Sequence, residues 1–97
     1  MVFGLDLSGR MAVVTGAGGI LCGMFARTLA QAGASVALLD INLETAERTA
    51  REIRAQGGNA AAYEVDVMDK DRLEGVHARV LADLGPCDIL INGAGGN

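Results

Sequence analysis

The sequence predicts an α/β fold in which helices flank one parallel β-sheet. Short apolar runs and longer segments with helical periodicity alternate along the chain, in the order β-α-β-α-β-α-β. Glycines stand where each helical segment would end. Parallel strands are joined by right-handed crossovers, so the simplest sheet has the strand order 3-2-1-4.

The strands are predicted from their apolar and β-branched composition. The first is predicted at Met11–Thr15 and the second at Ser35–Asp40, with a helix over residues 19–32 between them. The third is predicted over residues 60–66 and the fourth over residues 87–92. The second strand is almost wholly apolar, which is typical of a strand covered on both faces of its sheet.

Polar residues predict where the second and third helices begin. Asn42 and Asp69 each precede a segment with helical periodicity and can cap it. Glycines at residues 57–58 and the Gly-Pro pair at residues 85–86 predict where these helices end. The expected inward-facing positions are Leu43, Ala46, Ala50 and Ile53 in the second helix, and Leu73, Val76, Val80 and Leu84 in the third.

The composition indicates a small globular domain and argues against several classes of protein. The chain has 97 residues, 51% of them apolar, and a net charge of −4 with scattered basic residues, so we predict no nucleic-acid partner. Glu47 and Arg51, four positions apart, are expected to form an ion pair. The apolar runs are far shorter than the roughly 20 residues that span a bilayer, and no signal-peptide pattern is found. We therefore predict a cytoplasmic protein with no membrane partner.

The two cysteines indicate neither a metal site nor a disulfide framework. Cys22 and Cys87 lie far apart, and neither belongs to a CxxC or CxxH pattern. We expect ordinary buried thiols and no metal ligands.

A glycine-rich segment after the first strand indicates a site for phosphate groups. Residues 16–23 read Gly-Ala-Gly-Gly-Ile-Leu-Cys-Gly. Glycine lets the backbone turn sharply and approach a ligand, and the free N–H groups at a helix start favour an anion. Asp40 ends the next strand, about where dinucleotide-binding units place a ribose-binding carboxylate. These features predict a dinucleotide site; the plainer alternatives are a turn without a ligand and a turn-favouring acid at Asp40.

Along nearly all of its length, the chain resembles the amino-terminal part of short-chain dehydrogenases/reductases. The lead-in over residues 7–16 matches the family's opening pattern, and Asp66-Val67 matches the signature at the end of the third strand. Residues 92–95, Asn-Gly-Ala-Gly, correspond to the family's Asn-Ala-Gly signature. The resemblance implies one Rossmann-type NAD(P)-binding domain over residues 1–97. It also implies hydride transfer between a nicotinamide dinucleotide and a small alcohol or carbonyl substrate.

The resemblance further implies a role for each matching residue. The implied cofactor-binding residues are Gly16, Gly18, Gly19, Ile20 and Leu21 around the pyrophosphate, Asp40 at the adenosine ribose, Asp66 and Val67 beside the adenine, and Asn92, Gly93, Ala94 and Gly95 along the path towards the nicotinamide. A purely structural role, tying strand ends together by hydrogen bonds, is the alternative for Asn92.

The glycine segment departs from the family's commonest form at two positions. Ile20 and Cys22 stand where that form has glycine. A subset of the family with sugar-acid substrates, resembling fructuronate reductase or mannonate oxidoreductase, carries a similar segment and a similar Asn-Gly-Ala-Gly-Gly-Asn stretch. A sugar acid is therefore a candidate substrate.

Charge favours NAD over NADP as the cofactor. A carboxylate at Asp40 accepts hydrogen bonds from a ribose hydroxyl but repels a 2′-phosphate. Ile41 follows it, where an Arg often partners that phosphate, and the glycine segment contains no basic residue.

The residues that perform the family's proton transfer are not found in this sequence. The family uses a Tyr four residues before a Lys, together with a Ser. Tyr63 and Lys70 are the only residues of their types, and they lie seven positions apart. Ser8 and Ser35 lie close to the first two strands. We therefore predict no catalytic residue in this chain.

The predicted sheet is covered unevenly. Two helices would lie on one face and only the third on the other, so we expect an incomplete doubly wound domain, the amino-terminal piece of a longer enzyme. A non-catalytic nucleotide-binding module and a truncated remnant without a ligand are the alternatives. The uncovered apolar surface and strand edge predict a homo-oligomer.

Overall fold

The computed structural model describes residues 6–93, which contain four strands and three helices. The strands are β1 (Met11–Thr15), β2 (Ser35–Asp40), β3 (Asn59–Glu64) and β4 (Ile89–Asn92). The helices are α1 (Ile20–Gln31), α2 (Leu43–Ala55) and α3 (Lys70–Leu84). This order of elements confirms the predicted alternation.

The four strands form one parallel sheet in the order β3-β2-β1-β4, which confirms the predicted α/β, Rossmann-type fold. Thr15 at the end of β1 pairs with Leu39 of β2 on one side and with Asn92 of β4 on the other. Because every pairing is parallel, Thr15, Asp40 and Asn92 lie at the same edge of the sheet. Open α/β sheets bind their ligands at this edge.

Three strand boundaries differ from the prediction, and the smallest difference is that β3 begins at Asn59, one residue early. β3 ends at Glu64, opposite Asp40, where β2 also ends, so the chain leaves the sheet before Asp66. β4 begins at Ile89, because the carboxylate of Asp88 accepts a hydrogen bond from the Met11 N–H at 3.0 Å, where a strand carbonyl would otherwise accept it.

A separate apolar cluster lies on each face of the sheet. One face packs under α1 and α2, and its buried residues include Val14, Ala26, Val36, Leu38, Ala46, Ala50 and Ile53. The other packs under α3, and its buried residues include Met11, Val13, Leu39, Tyr63, Val76 and Val80. The predicted inward positions are confirmed except at Leu43, which is exposed. Leu73 and Leu84 are half-buried and pack against the cluster under α3.

Side chains cap two of the three helices, as the sequence predicts. Asn42 accepts a hydrogen bond from the Thr45 N–H at 3.3 Å, and Asp69 accepts one from the Arg72 N–H at 3.2 Å. At the other end of α2, the N–H of Gly58 donates to the carbonyl of Ile53, across a glycine in the left-handed region. That is the geometry of a Schellman motif.

The face under α3 is covered incompletely within residues 6–93. A cleft of about 270 Å³ opens beside β1 and β4, and its lining includes Val13, Val80, Leu81 and Leu90. Leu81 and Leu90 are 58% and 61% exposed. In the described residues β4 pairs with β1 alone, so its other edge carries no strand.

Across residues 6–93, every helix is too short or too polar to cross a membrane.

Candidate functional site

The glycine segment forms a tight turn between β1 and α1. Gly16 has a φ of +67°, a conformation that residues with a side chain rarely adopt. The turn is held by a hydrogen bond from the Ala17 N–H to the Leu39 carbonyl (3.2 Å) and by another from the Gly19 N–H to the Gly16 carbonyl (3.1 Å). The backbone therefore bends over the edge of the sheet where β1 and β2 end.

The start of α1 is open to an anion. Gly19 precedes the helix and has no side chain with which to cap it, in contrast to the residues that precede α2 and α3. The first turn of α1 contains no acidic residue. The N–H groups at the start of a helix lack partners within the helix, and in α1 these include the N–H groups of Ile20, Leu21 and Cys22. These amides can hold a phosphate group.

Asp40 is held against the glycine turn by two backbone amides. The Gly18 N–H donates to its Oδ2 at 2.7 Å, and the Asn42 N–H donates to its Oδ1 at 2.8 Å. The side chain is half-buried. The carboxylate is thus fixed beside the turn, as a ribose-binding acid requires.

Thr45, which no sequence motif indicates, lies beside Gly18 of the same turn. A methyl group added at Gly18 would overlap Oγ1 of Thr45 and would lie 2.9 Å from Oδ2 of Asp40. The Thr45 hydroxyl is held by donating to the Asn42 carbonyl at 3.1 Å. No local pattern could have indicated it, since Thr45 lies in α2 and reaches the glycine turn only through the fold.

A cleft of about 260 Å³ brings together predicted site residues from three loops. Its lining includes Gly16, Asp40, Asp66 and Val67, with the apolar side chains of Leu39 and Val65. The Asp66 carboxylate accepts a hydrogen bond from the Met68 N–H at 3.0 Å, which holds the loop after β3 in place. This arrangement of one apolar wall and two carboxylates suits a planar base joined to a ribose.

A hydrogen-bond network joins the ends of β1 and β4. The Thr15 hydroxyl donates to Oδ1 of Asn92 at 2.9 Å and accepts from the Gly93 N–H at 3.1 Å. The Gly93 N–H also donates to the Thr15 carbonyl at 3.2 Å. Within this network the Asn92 side chain ties strand ends together, which matches the structural alternative for this residue. Ala94 and Gly95 lie outside the described residues.

A second cleft continues from the first towards β4. Its volume is about 300 Å³, and its lining includes Thr15, Leu90 and Asn92. Val67 and Met68 line both clefts, so the two adjoin along the carboxyl edge of the sheet. A long ligand could extend from Asp40 to Asn92 across both.

The expectation of buried thiols is wrong for both cysteines. Cys87 is exposed, because it lies in the connection between α3 and β4. Cys22 is half-buried, because it lies in the first turn of α1. Among residues 6–93, no cluster of three or more His, Cys, Asp or Glu side chains could hold a metal ion.

Tyr63 and Lys70 lie in different surroundings. Tyr63 is 3% exposed, and its hydroxyl donates to Oδ2 of Asp83 in α3 at 2.7 Å. Burial, reinforced by the Asp83 carboxylate, raises the pKa of Tyr63 to about 12. Lys70 is the exposed first residue of α3. The geometry gives Tyr63 a role in packing α3 on the sheet.

Residues 10–97 match the family model described as short chain dehydrogenase. The chain belongs to the short-chain dehydrogenase family. An uncharacterized oxidoreductase of Haemophilus influenzae is 46% identical over 92 residues, which are 95% of this chain and 32% of that protein. The chain thus spans about a third of the length of the curated relatives it matches.

Solved structures of short-chain dehydrogenases share this fold. A candidate D-mannonate oxidoreductase from Haemophilus influenzae, solved with bound NAD, has a TM-score of 0.92 and 45% identity, covering 96% of this chain and 33% of that one. A metagenomic short-chain oxidoreductase in complex with NADP has a TM-score of 0.86 and 40% identity, covering 93% of this chain and 41% of that one. Members of the family thus bind a nicotinamide dinucleotide, in either form.

Proposed function

We propose that the full-length protein is an NAD-dependent oxidoreductase, and that this chain supplies its dinucleotide-binding part. The observation that carries the proposal is the Asp40 carboxylate, held 2.7 Å from the Gly18 amide beside the uncapped start of α1. An acid and a set of open amides are the two groups that a ribose and a pyrophosphate need. Because the chain lacks the Tyr-x-x-x-Lys pair, we expect no turnover from these 97 residues alone.

The residues divide among the parts of the cofactor. Gly16, Gly18 and Gly19 would let the backbone approach the pyrophosphate, and the amides of Ile20 and Leu21 would donate to it. Asp40 would accept hydrogen bonds from the adenosine ribose. Asp66 and Val67 would flank the adenine, and the segment Asn92, Gly93, Ala94 and Gly95 would line the path to the nicotinamide. The bound nicotinamide ring would give or accept the hydride.

The preference for NAD rests on charge and on space. A 2′-phosphate would carry nearly two negative charges towards the Asp40 carboxylate. Ile41, which follows it, is 67% exposed and offers no positive charge. Thr45 fills the space that a side chain at Gly18 would need, so position 18 has no room for a residue that could bind the phosphate.

An experiment on Asp40 tests the cofactor assignment. We expect Asp40→Ala to raise the Kd for NAD by about tenfold or more and to leave the Kd for NADP unchanged or lower it, because the lost carboxylate binds the ribose of NAD but repels the 2′-phosphate of NADP. Isothermal titration calorimetry of the full-length protein with each cofactor measures both values.

Asp71→Ala is the matched control, since it removes the same charge from an exposed position on α3. Equal weakening of NAD and NADP by Asp40→Ala would contradict the preference for NAD. A wild-type protein that binds neither cofactor would contradict the proposed function and would favour a remnant without a ligand.

A sugar acid is the substrate class we propose. The solved relative with 45% identity is described as a candidate D-mannonate oxidoreductase, and the glycine segment of this chain resembles that of sugar-acid enzymes. Cofactor-linked absorbance with hexuronates and hexonates, compared with simple secondary alcohols, tests the class. Turnover of the simple alcohols alone would contradict it.

A further inference from the structure

The side chain of Cys22 lies against the backbone of Gly93. A methyl group added at Gly93 would overlap the Sγ atom of Cys22 and would lie 3.0 Å from the Thr15 carbonyl oxygen. The Cβ atom of Cys22 would be 3.6 Å from the same methyl group, which is an ordinary contact. The thiol sulfur therefore occupies the space that any side chain at position 93 would need.

Gly93 cannot easily move away from this sulfur. Its N–H donates to both the carbonyl and the hydroxyl of Thr15, at 3.2 and 3.1 Å. Those bonds fix the backbone at the end of β4, and Thr15 itself is buried in β1. A larger side chain at either position would have to displace the start of α1 or the end of β4.

The two residues join opposite halves of the proposed cofactor site. Cys22 lies in the first turn of α1, whose amides face the pyrophosphate, and Gly93 lies on the path to the nicotinamide. Cys22 also stands where the commonest form of the glycine segment has no side chain. The extra sulfur at position 22 is therefore accommodated by the absence of a side chain at position 93.

We propose that Cys22 and Gly93 are a matched pair of positioning residues, in which the sulfur packed on the glycine sets the separation between the α1 start and the β4 end. This inference rests on the proposed NAD-binding function. A methyl group at position 93 would push these two segments apart, so NAD, which must contact both, would bind less tightly. Removing the sulfur would restore the space and most of the affinity.

A double-mutant cycle in the full-length protein tests the pairing. The four proteins are the wild type, Cys22→Ala, Gly93→Ala and the double variant, each measured for NAD Kd by calorimetry and for melting temperature. With Cys22 present, we expect Gly93→Ala to raise the Kd about tenfold, and in the Cys22→Ala background about threefold or less, within the range of direct couplings. Some loss of NAD affinity should remain in the double variant, because the methyl group at position 93 is still close to the Thr15 carbonyl oxygen.

Gly75→Ala is the matched control, because a methyl group there meets no heavy atom within 4 Å, and it should leave the Kd unchanged. The same loss of affinity in both backgrounds, or a lower melting temperature with an unchanged Kd, would overturn the positioning role. If Gly93→Ala does not fold, the double variant must fold and bind NAD; its failure would also overturn the role. A wild type that does not bind NAD would overturn the proposed function first, and the positioning role with it.

Discussion

Tyr63 has an unusual ionisation because it lies between the sheet and α3. The hydroxyl is buried, and the neighbouring Asp83 carboxylate disfavours a second negative charge, so the pKa is about 12 instead of 10.0. The guanidinium of Arg79, 5.2 Å from the ring centroid, opposes this shift. The folded protein therefore keeps its phenol protonated at pH values at which the unfolded chain has lost the proton.

A pH dependence of stability follows from this shift. A raised pKa in the folded state means that the contribution of Tyr63 is fully present below pH 10 and is lost as the pH rises towards 12. We expect the free energy of unfolding to fall by about 2 kcal/mol across this interval. Urea denaturation at a series of pH values measures the fall, and it should shrink in a Tyr63→Phe variant.

The phenol can also be titrated directly. The chain contains one Tyr and no Trp, so phenolate absorbance in the near-ultraviolet reports Tyr63 alone in the 97-residue chain. Asp83→Asn should lower the measured pKa, but not to 10.0, since burial is the larger cause. A wild-type pKa close to 10.0 would contradict the buried, hydrogen-bonded phenol.

At this scale the sequence predicted individual residues of the site but not their partners. Asp40 could be recognised because its spacing from the glycine segment follows from strand and helix lengths. The position of Thr45 beside Gly18 could not be recognised, because it depends on how α2 packs beside the turn. The exposure of Cys87 depends likewise on where β4 begins.

At the scale of a helix, two glycines in open surroundings should respond oppositely to substitution. A methyl group at Gly75 or at Gly57 meets no heavy atom within 4 Å, but only Gly57 has a positive φ, of +88°. Gly75→Ala should stabilise the protein by about 0.5 to 1 kcal/mol, because alanine is the better helix former. Gly57→Ala should destabilise it by about 1 kcal/mol, because the left-handed conformation is strained for alanine.

Thermal or urea denaturation of the two variants measures the contrast. Because an added methyl group has space at both positions, a difference between the two variants reports the backbone conformation and not crowding. Changes of the same sign would contradict either the helical geometry of α3 or the left-handed end of α2.

Elements buried on both sides were predicted most accurately. The bounds of β1 and β2 agree with the prediction because their apolar runs end where the sheet ends. The outer strands were predicted less accurately, since β3 differs from the prediction at both ends and β4 at its start. Pairing with a neighbour, and not composition, decides where an edge strand stops. The Glu47–Arg51 pair is also wrong: Glu47 pairs with Arg54, whose guanidinium is anchored by the Ala60 carbonyl at 2.8 Å.

At the scale of the whole molecule, the uneven cover of the sheet predicts self-association. Leu81 and Leu90 are more than half exposed beside the cleft at β1 and β4, and burying the part of each side chain that is still exposed would contribute about 1 to 2 kcal/mol. We therefore expect the 97-residue chain, purified alone, to self-associate at micromolar concentration. Light scattering and size-exclusion chromatography measure the mass.

A charged residue placed in the cleft beside β1 and β4 should show whether the chain associates through this surface. Leu90→Glu should shift the chain towards the monomer, because a carboxylate resists burial in an apolar contact. Leu43→Glu, at an exposed position of α2 on the opposite side of the sheet, should leave the mass unchanged. A monomeric wild type, or equal effects of both variants, would contradict an association through the cleft.

The hydrogen bond between Thr15 and Asn92 has a consequence for biosynthesis. Its partners are 77 positions apart, and among residues 6–93 β4 joins the sheet only by pairing with β1. On the ribosome, β1, β2 and their helices can assemble while the carboxyl edge beside Thr15 still lacks its last strand. The end of the proposed cofactor cleft at Asn92 therefore forms after the end at Asp40, and a nascent chain can complete this cleft only once Asn92 has emerged from the exit tunnel.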